Sequence, residues 1–578
     1  MNRILKNHLK KFVTENGLDF LNESDQFERF VNYSVLANAV VSTIDLDEIT
    51  TDSGEDGIDG IAIIVNEKII ISVEEAVQIF SQQNRNNDVE IVFIQAKTSE
   101  KFDLGDFLKY KEAILRLVKA WSEDSDYNSN SEIQNTAFSI FNQAISDVAK
   151  IRNGIPDISI YYATTGEYQY PTEIENAKEK FLEELKEYKL FKNINIQFIG
   201  NDFIIKKWVS SYSGINASLS MEGSIAFPEI TGVAEAYLAV VKAREYVTNL
   251  LQNEDGTIKN QLFEENVRHY LGSDNLVNNE IKLTLNSDLK NRFPVLNNGI
   301  TIVSPDVQIR GKQLHISNYQ IVNGCQTSHV LFENRDMLED ITLTLKVVET
   351  TDEDVFSQLV KATNSQSHVD EKQFLSLHPL AKRIEEYFKA YNSEDDGKLY
   401  FERRKKQYIG QDVPNLRVVD FDYVIRAVCA MFLERPELSS QYPKRIYDEF
   451  HDKIFNDSIK ECIFYTAALV LYRFRLLIAS KNISSKVTKY KWHFLPLIAY
   501  QITKREIPKL NSKGKKGIES YCEEIIQRVS THNSESTSIF IHIANFLEKQ
   551  GDVKIENLKN RAFAERLIQE NKRNIYQK

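Results

Sequence analysis

Four short runs of β-branched and aromatic residues punctuate the first two hundred positions: GIAIIV (60–65), VEIVFIQA (89–96), DISIYYATT (157–165) and NINIQFIG (193–200). Each is too short for a stable helix and too continuously apolar for a strand with one wet face, so each reads as a strand in a covered sheet. Helical spacing fills the gaps. SDQFERFVNYSVLANAVVS (24–42) begins at a capping Ser24 and places Phe27, Phe30, Val31, Val35 and Leu36 on one face. GIDGIAIIVNEKIIISV breaks at Asn66-Glu67-Lys68, the mark of a hairpin. Further helices are expected at 103–120, on to about 151, and in a segment whose first turn holds Pro171 and Glu173. The order helix, hairpin, strand, helix, helix, strand, helix, strand over 20–205 suits an α/β sandwich around a mixed sheet.

With 578 residues the chain exceeds what one core organises. Three domains are expected, at 1–215, 216–420 and 421–578, giving a multidomain α/β plus α protein. The second is again α/β, with strands in GITIVSPDVQIRGKQLHISNYQIV and DITLTLKVVET and helices at 326–337, 352–363 and 378–392. The third is dominated by helical periodicity.

Charge and cysteine usage restrict the function classes. Cys325, Cys429, Cys462 and Cys522 lie far apart, without CxxC or Cys/His spacing, which argues against a zinc knuckle or disulfide framework and for a reducing cytoplasm. The basic amphipathic start lacks the apolar stretch of a signal peptide. CIFYTAALVLYRFRLLIAS (462–480) carries Arg473 and Arg475 near its middle, so it reads as a buried helix and no membrane partner is expected. The net charge is −12, yet the last 98 residues hold 19 Lys and Arg against 10 Asp and Glu. Such polarity gives an acidic body a basic end, suited to nucleic acid or to a second copy of the chain. NSKGKKGIES (511–520) lacks the Walker spacing and reads as a flexible basic loop. No HExxH and no GxSxG occurs, which removes protease and lipase readings.

The strand at 89–96 runs into an amide and an amine. Gln95 and Lys97 are two residues apart and face the same way, and Asp59 lies in GEDGIDG at the mouth of the preceding hairpin. A carboxylate, a second oxygen ligand and a lysine at a sheet end fit a Mg²⁺ or Mn²⁺ site for phosphodiester cleavage. The carboxylate holds a hard cation, the amide and the Ala96 carbonyl add oxygens, and the lysine steadies the attacking water. These residues resemble the PD-(D/E)xK nuclease superfamily, in its Mrr-like branch, where glutamine replaces the middle acid of the lysine motif. The resemblance implies Asp59 as principal metal ligand, Gln95 as the second position, Lys97 as the catalytic lysine and Glu28, in QFERF, as an auxiliary acid and further ligand. Asp56 is the alternative acid at the hairpin.

Three phrases in the middle section are rich in Asn, Gln and Gly: VLNNGITIV (295–303), QIVNGCQTSHVL (320–331) and KATNSQSHV (361–369). The second runs strand, turn, helix, so amides at a helix start would face outward. Asn298, Asn323, Gln326, Thr327 and Asn364 are candidate contacts to a nucleotide or nucleic acid. Arg403 and Arg404, in a basic run beside Tyr400, Phe401 and Tyr408, join them. Capping and tying of loops is the competing reading of these amides. Together the phrases resemble the AIPR family, named for abortive infection and phage resistance, over about 220–480. That resemblance implies a bacterial antiphage defence protein with a nuclease-like N-terminal domain, acting on DNA or RNA and answering a phage-derived trigger. A homodimer is also expected. More distantly, IVNGCQTSHVL is similar to the ParB/sulfiredoxin arrangement, although the paired arginines of nucleotide-hydrolysing ParB proteins are missing. The contrasting expectation is a non-catalytic sensor that binds nucleic acid or nucleotide through a degenerate nuclease domain.

Overall fold

The computed structural model describes every residue except 38, 41–43, 52–56, 82–86, 213–214, 254–255, 264–275, 288–289, 365–378, 392–396, 404–406, 409–412, 441–442, 456–457, 531–533, 552, 554 and 577–578. The N-terminal part contains helices α1 (Arg3–Asn16), α2 (Glu23–Leu36), α3 (Val73–Ser81), α4 (Leu104–Ser122), α5 (Glu132–Ser146), α6 (Thr172–Glu187) and α7 (Asn201–Tyr212). Its strands are β1 (Gly60–Val65), β2 (Lys68–Ile70), β3 (Val89–Lys97), β4 (Asp157–Thr164) and β5 (Ile194–Ile199), in sheet order β2-β1-β3-β4-β5. β1 is antiparallel to β2 and β3, while β3, β4 and β5 are parallel. The hairpin turn holds Asn66 at φ 51° and Glu67 at φ 63°. Paired positive φ values of this kind match the twist of the flanking strands.

Alternation along β3 feeds two cores. Ile91 and Phe93 enter one with residues of α4, α5 and α6, whereas Val92, Ile94 and Ala96 enter the other with residues of α1, α2 and α7. A sheet covered on both faces explains why its strands read as continuous apolar runs. The start and end of α2 differ from expectation. Asn22, not Ser24, is the cap, its side chain accepting from the Asp25 amide at 3.0 Å. The amides of Ala39 and Val40 turn back onto the Leu36 carbonyl, closing the helix there and not at 42.

The second sheet has seven strands, β6 (Asn216–Ala226), β7 (Glu235–Lys242), β8 (Ile300–Ser304), β9 (Asp306–Arg310), β10 (Gln313–Ser317), β11 (Gln320–Asn323) and β12 (Thr342–Glu349). Their order is β11-β8-β12-β7-β6-β10-β9. Only the β8/β12 pair is parallel. Leu219, Val241, Ile302 and Leu345 share one core beneath it.

The largest core is helical and links Leu380 to Ile568. The helix Pro379–Ala390 contributes Leu380, Ile384 and Phe388 to it, so this helix packs with the elements after 421. Cys462–Ala479 is the one helix among the described residues long and apolar enough to cross a membrane, and 89% of it is buried inside the protein. All four cysteines are buried and free.

Candidate active site at the ends of β1 and β3

The site forms where the β1–β3 ladder runs out. Its last pair is Gly60 with Ile94. One residue earlier, the Asp59 amide still donates to the Ile94 carbonyl at 2.9 Å, and then the Asp59 side chain takes over: its Oδ2 accepts from the Ala96 amide at 2.8 Å. The Asp59 carbonyl is held by the Thr51 amide at 3.2 Å and by Asn32 Nδ2 at 3.1 Å. Main chain and carboxylate are therefore both fixed, which is what a ligand-holding acid needs.

Strand register sets Asp59 opposite Gln95, on the face that Ile61 and Phe93 present to α4. Lys97 follows on the same face. Gln95 is 2% exposed and its Oε1 has no hydrogen-bond partner. A buried amide oxygen left unpaired costs about 1–3 kcal/mol, so its position calls for an explanation beyond packing. Gly57, at φ +73°, passes so close that a Cβ there would lie 2.8 Å from Gln95 Nε2.

Glu28 approaches from α2, on the opposite layer. It is 9% exposed, and Ser24 Oγ donates to its Oε1 at 3.3 Å. Burial, then the neighbouring Asp59 charge, push the Glu28 carboxyl up to about 7, while Lys97 opposes the shift. Burial pushes Asp59 up to about 6, against Lys97 and the Ala96 amide. Glu28, Asp59 and Lys97 thus lie within electrostatic reach of one another, two buried carboxylates and one half-buried lysine, while Gln95 stands opposite Asp59 by strand register with its amide oxygen unpaired. Asp106, in the first turn of α4, adds a further negative field on Asp59.

The donors fit a hard divalent cation, being two carboxylates and an amide oxygen with nothing else to bind. No group of three or more His, Cys, Asp or Glu gathers as a metal cluster among the described residues. The oxygen donors that the sequence offers for Mg²⁺ or Mn²⁺ here are Asp59, Gln95 and Glu28, two carboxylates and one amide. Asp56 lies outside the described residues.

Asn32 was not anticipated. It is wholly buried one turn after Glu28, bonding Thr50 Oγ1 at 3.1 Å as well as Asp59, and Asn32 Oδ1 would meet a Cβ on Gly60 at 2.4 Å. The signal was a polar residue in the apolar stripe of α2.

The middle-section amides are placed differently. Gly324, at φ +97°, precedes the helix Cys325–Glu333, and a Cβ there would lie 2.7 Å from Ile300 Cγ1. Thr327 Oγ1 accepts from Asn297 Nδ2 at 3.2 Å, and Gln326 Oε1 accepts from Asn278 Nδ2 at 3.0 Å. Asn323 is half-buried at the end of β11 and Asn298 is exposed. Gln326 and Thr327 thus tie loops together, and only Asn298 is openly available to a ligand. Arg403 does not line a groove: it is 8% exposed, with Glu385 at 3.4 Å, Asp354 at 3.6 Å and Ser357 Oγ at 3.2 Å from its guanidinium. Its charge is spent on joining two helices. Arg404 and the Asn364 side chain lie outside the described residues.

These features define a multidomain, mixed α/β protein with a buried carboxylate, amide and lysine site in its first sheet. The chain belongs to the AIPR protein family, whose model matches residues 263–573, more than half its length. Membership implies a part in abortive-infection defence against phage. The matched segment takes in β8–β12 and most of the helical core, and the N-terminal sandwich lies before it. No curated protein and no solved structure matches the chain.

Proposed function

We propose that the protein is a cytoplasmic nuclease of the antiphage defence system, with a PD-(D/E)xK-like N-terminal domain that cleaves DNA or RNA using Mg²⁺ or Mn²⁺. The observation that carries this reading is the fixed Asp59 carboxylate beside the partnerless Gln95 oxygen, with Lys97 on the same face. A bound divalent cation would supply Lewis-acid stabilisation of the charge that develops on the phosphate. Asp59 and Gln95 would hold and orient it. Lys97 would place an ammonium beside the attacking water and the phosphoryl oxygens, and Glu28 would serve as the auxiliary acid and further ligand. Asn32 keeps α2, and with it Glu28, seated against the Asp59 backbone. In this reading the chain works as a homodimer released by a phage-derived trigger.

The test is cleavage of labelled DNA and RNA with Mg²⁺, Mn²⁺ or EDTA. Asp59→Ala and Lys97→Ala should each remove divalent-dependent cleavage, by about 100-fold or more, with an unchanged circular dichroism spectrum. Undiminished cleavage in both variants refutes the site. A mobility shift without fragments in the wild type supports the binding-sensor alternative instead.

A further inference from the structure

Between the helices Lys491–Thr503 and Ile518–Val529 the chain passes through KREIPKLNSKGKKG (504–517). Read as sequence this is a flexible basic loop, but the structure gives it a defined shape. Ile507 and Leu510 turn inward onto the helical core. Ser512 donates from its amide to the Lys509 carbonyl at 2.9 Å, and its hydroxyl accepts from the Ile518 amide at 3.1 Å. Gly514, at φ +89°, allows a turn in which the Gly517 amide donates to its carbonyl at 2.8 Å.

The consequence is that Lys504, Lys509, Lys513, Lys515 and Lys516 all face solvent. The loop's other charges are matched, Arg505 by Glu524 at 3.0 Å and Glu506 by Lys572 at 2.9 Å. Among the described residues no carboxylate pairs with the five lysines. Five unmatched cations on a fixed turn, in a chain of net charge −12, are a local exception to its field.

We propose that this turn is a docking surface for the sugar-phosphate backbone of nucleic acid. The inference rests on the nuclease reading and deepens it by saying where the polyanion is held. Two features select this partner. The Gly517 and Ile518 amides are used inside the turn, so they do not cradle a single phosphate. No aromatic or large apolar side chain of the turn is exposed, which removes the anchor that membrane-surface binding requires. Five exposed ammonium groups on flexible stems within one short segment suit successive phosphates without base readout.

The experiment uses the full chain carrying Asp59→Ala, in EDTA, so that binding is read without cleavage. Fluorescence anisotropy with labelled duplex DNA, single-stranded DNA and RNA is followed between about 50 and 200 mM salt. In the background of that variant, Lys509→Gln, Lys513→Gln, Lys515→Gln and Lys516→Gln together should raise Kd at least tenfold. The slope of log K against log salt should fall by about 3–4 on duplex DNA. Lys481→Gln with Lys549→Gln, exposed cations elsewhere, should change neither by as much as twofold. Binding that keeps its affinity and slope in the quadruple variant overturns the docking surface and leaves the nuclease reading standing. Failure of the parent to bind any nucleic acid overturns both, and binding to vesicles rich in phosphatidylserine instead assigns the lysines to a membrane.

Discussion

Asp59 does with its side chain what the next strand residue would have done with its carbonyl: it satisfies the Ala96 amide at the point where the β1–β3 ladder stops. The cost is a carboxylate in a site with too little positive charge. Its titration lies at about 6, and that of Glu28 at about 7, both above the ordinary values of 3.8 and 4.5. An acid whose folded pKa is raised holds its proton in the folded state where the unfolded chain has lost it, so stability falls as pH rises from about 4 through 7. Asp59→Asn removes the charge but keeps an acceptor for Ala96. It should stabilise the chain in EDTA at pH 8 by on the order of 2 kcal/mol and flatten that slope, read from urea melts across pH. A variant less stable than wild type at pH 8 would contradict the burial of charge argued here. In the proposed nuclease the same carboxylates would set the pH dependence of ion binding: Mg²⁺ should raise the wild-type melting temperature increasingly as pH climbs through about 6–7, and should not raise that of Asp59→Asn.

At the scale of elements, α2 is the part that makes the site rigid. Glu28 and Asn32 are a turn apart on one face, and Asn32 fastens that face to the Asp59 carbonyl and to Thr50. Asn32→Ala removes one of the two donors to the Asp59 carbonyl and the bond to Thr50 Oγ1, and should cost about 1–3 kcal/mol. It should also reduce cleavage more than binding of nucleic acid, because Glu28 shifts while the basic turn does not. A kcat effect equal to the effect on Kd would argue for general loosening. Much of this layer could be read beforehand, since a doubly covered sheet must show apolar runs, and a strand that ends in an amide and an amine must set both on one face at its end, where the amide is buried and the amine half-buried. Asn32 escaped because its partners, a carbonyl and a threonine 27 and 18 residues away, are tertiary. β6 escaped because only Leu219 and Met221 along its length are buried, so no apolar run marks it. Arg403 misled because its matching acids, Asp354 and Glu385, arrive from helices far back in the chain.

Across the whole molecule, the sandwich and the helical core meet through charge. Lys491, at the start of its helix, reaches Asp45 at 2.5 Å, and Phe20 packs against the cores on both sides. Lys491, aided by Arg426 and Arg475, holds the Asp45 carboxyl down at about 2, whereas burial pushes the nearby Glu48 up. A carboxylate with a depressed folded pKa contributes stability that is present above its ordinary value and lost as pH falls through the folded one. For Asp45 that window runs from about 4 down to about 2. Asp45 keeps 26% of its side chain exposed, so removing its partner falls at the low end for hydrogen-bonded ion pairs, about 2 kcal/mol. Lys491→Met preserves the apolar stem and should lower the free energy of unfolding at pH 7 by that amount, while removing the share of the wild-type loss of stability between pH 4 and 2 that Asp45 contributes. If the bridge holds the two bodies in register, the variant should also open the protease sites between them before either core unfolds. Limited proteolysis at pH 7 separates the outcomes, because simultaneous loss of both cores would make the contact a contributor to one cooperative unit and not a joint between two.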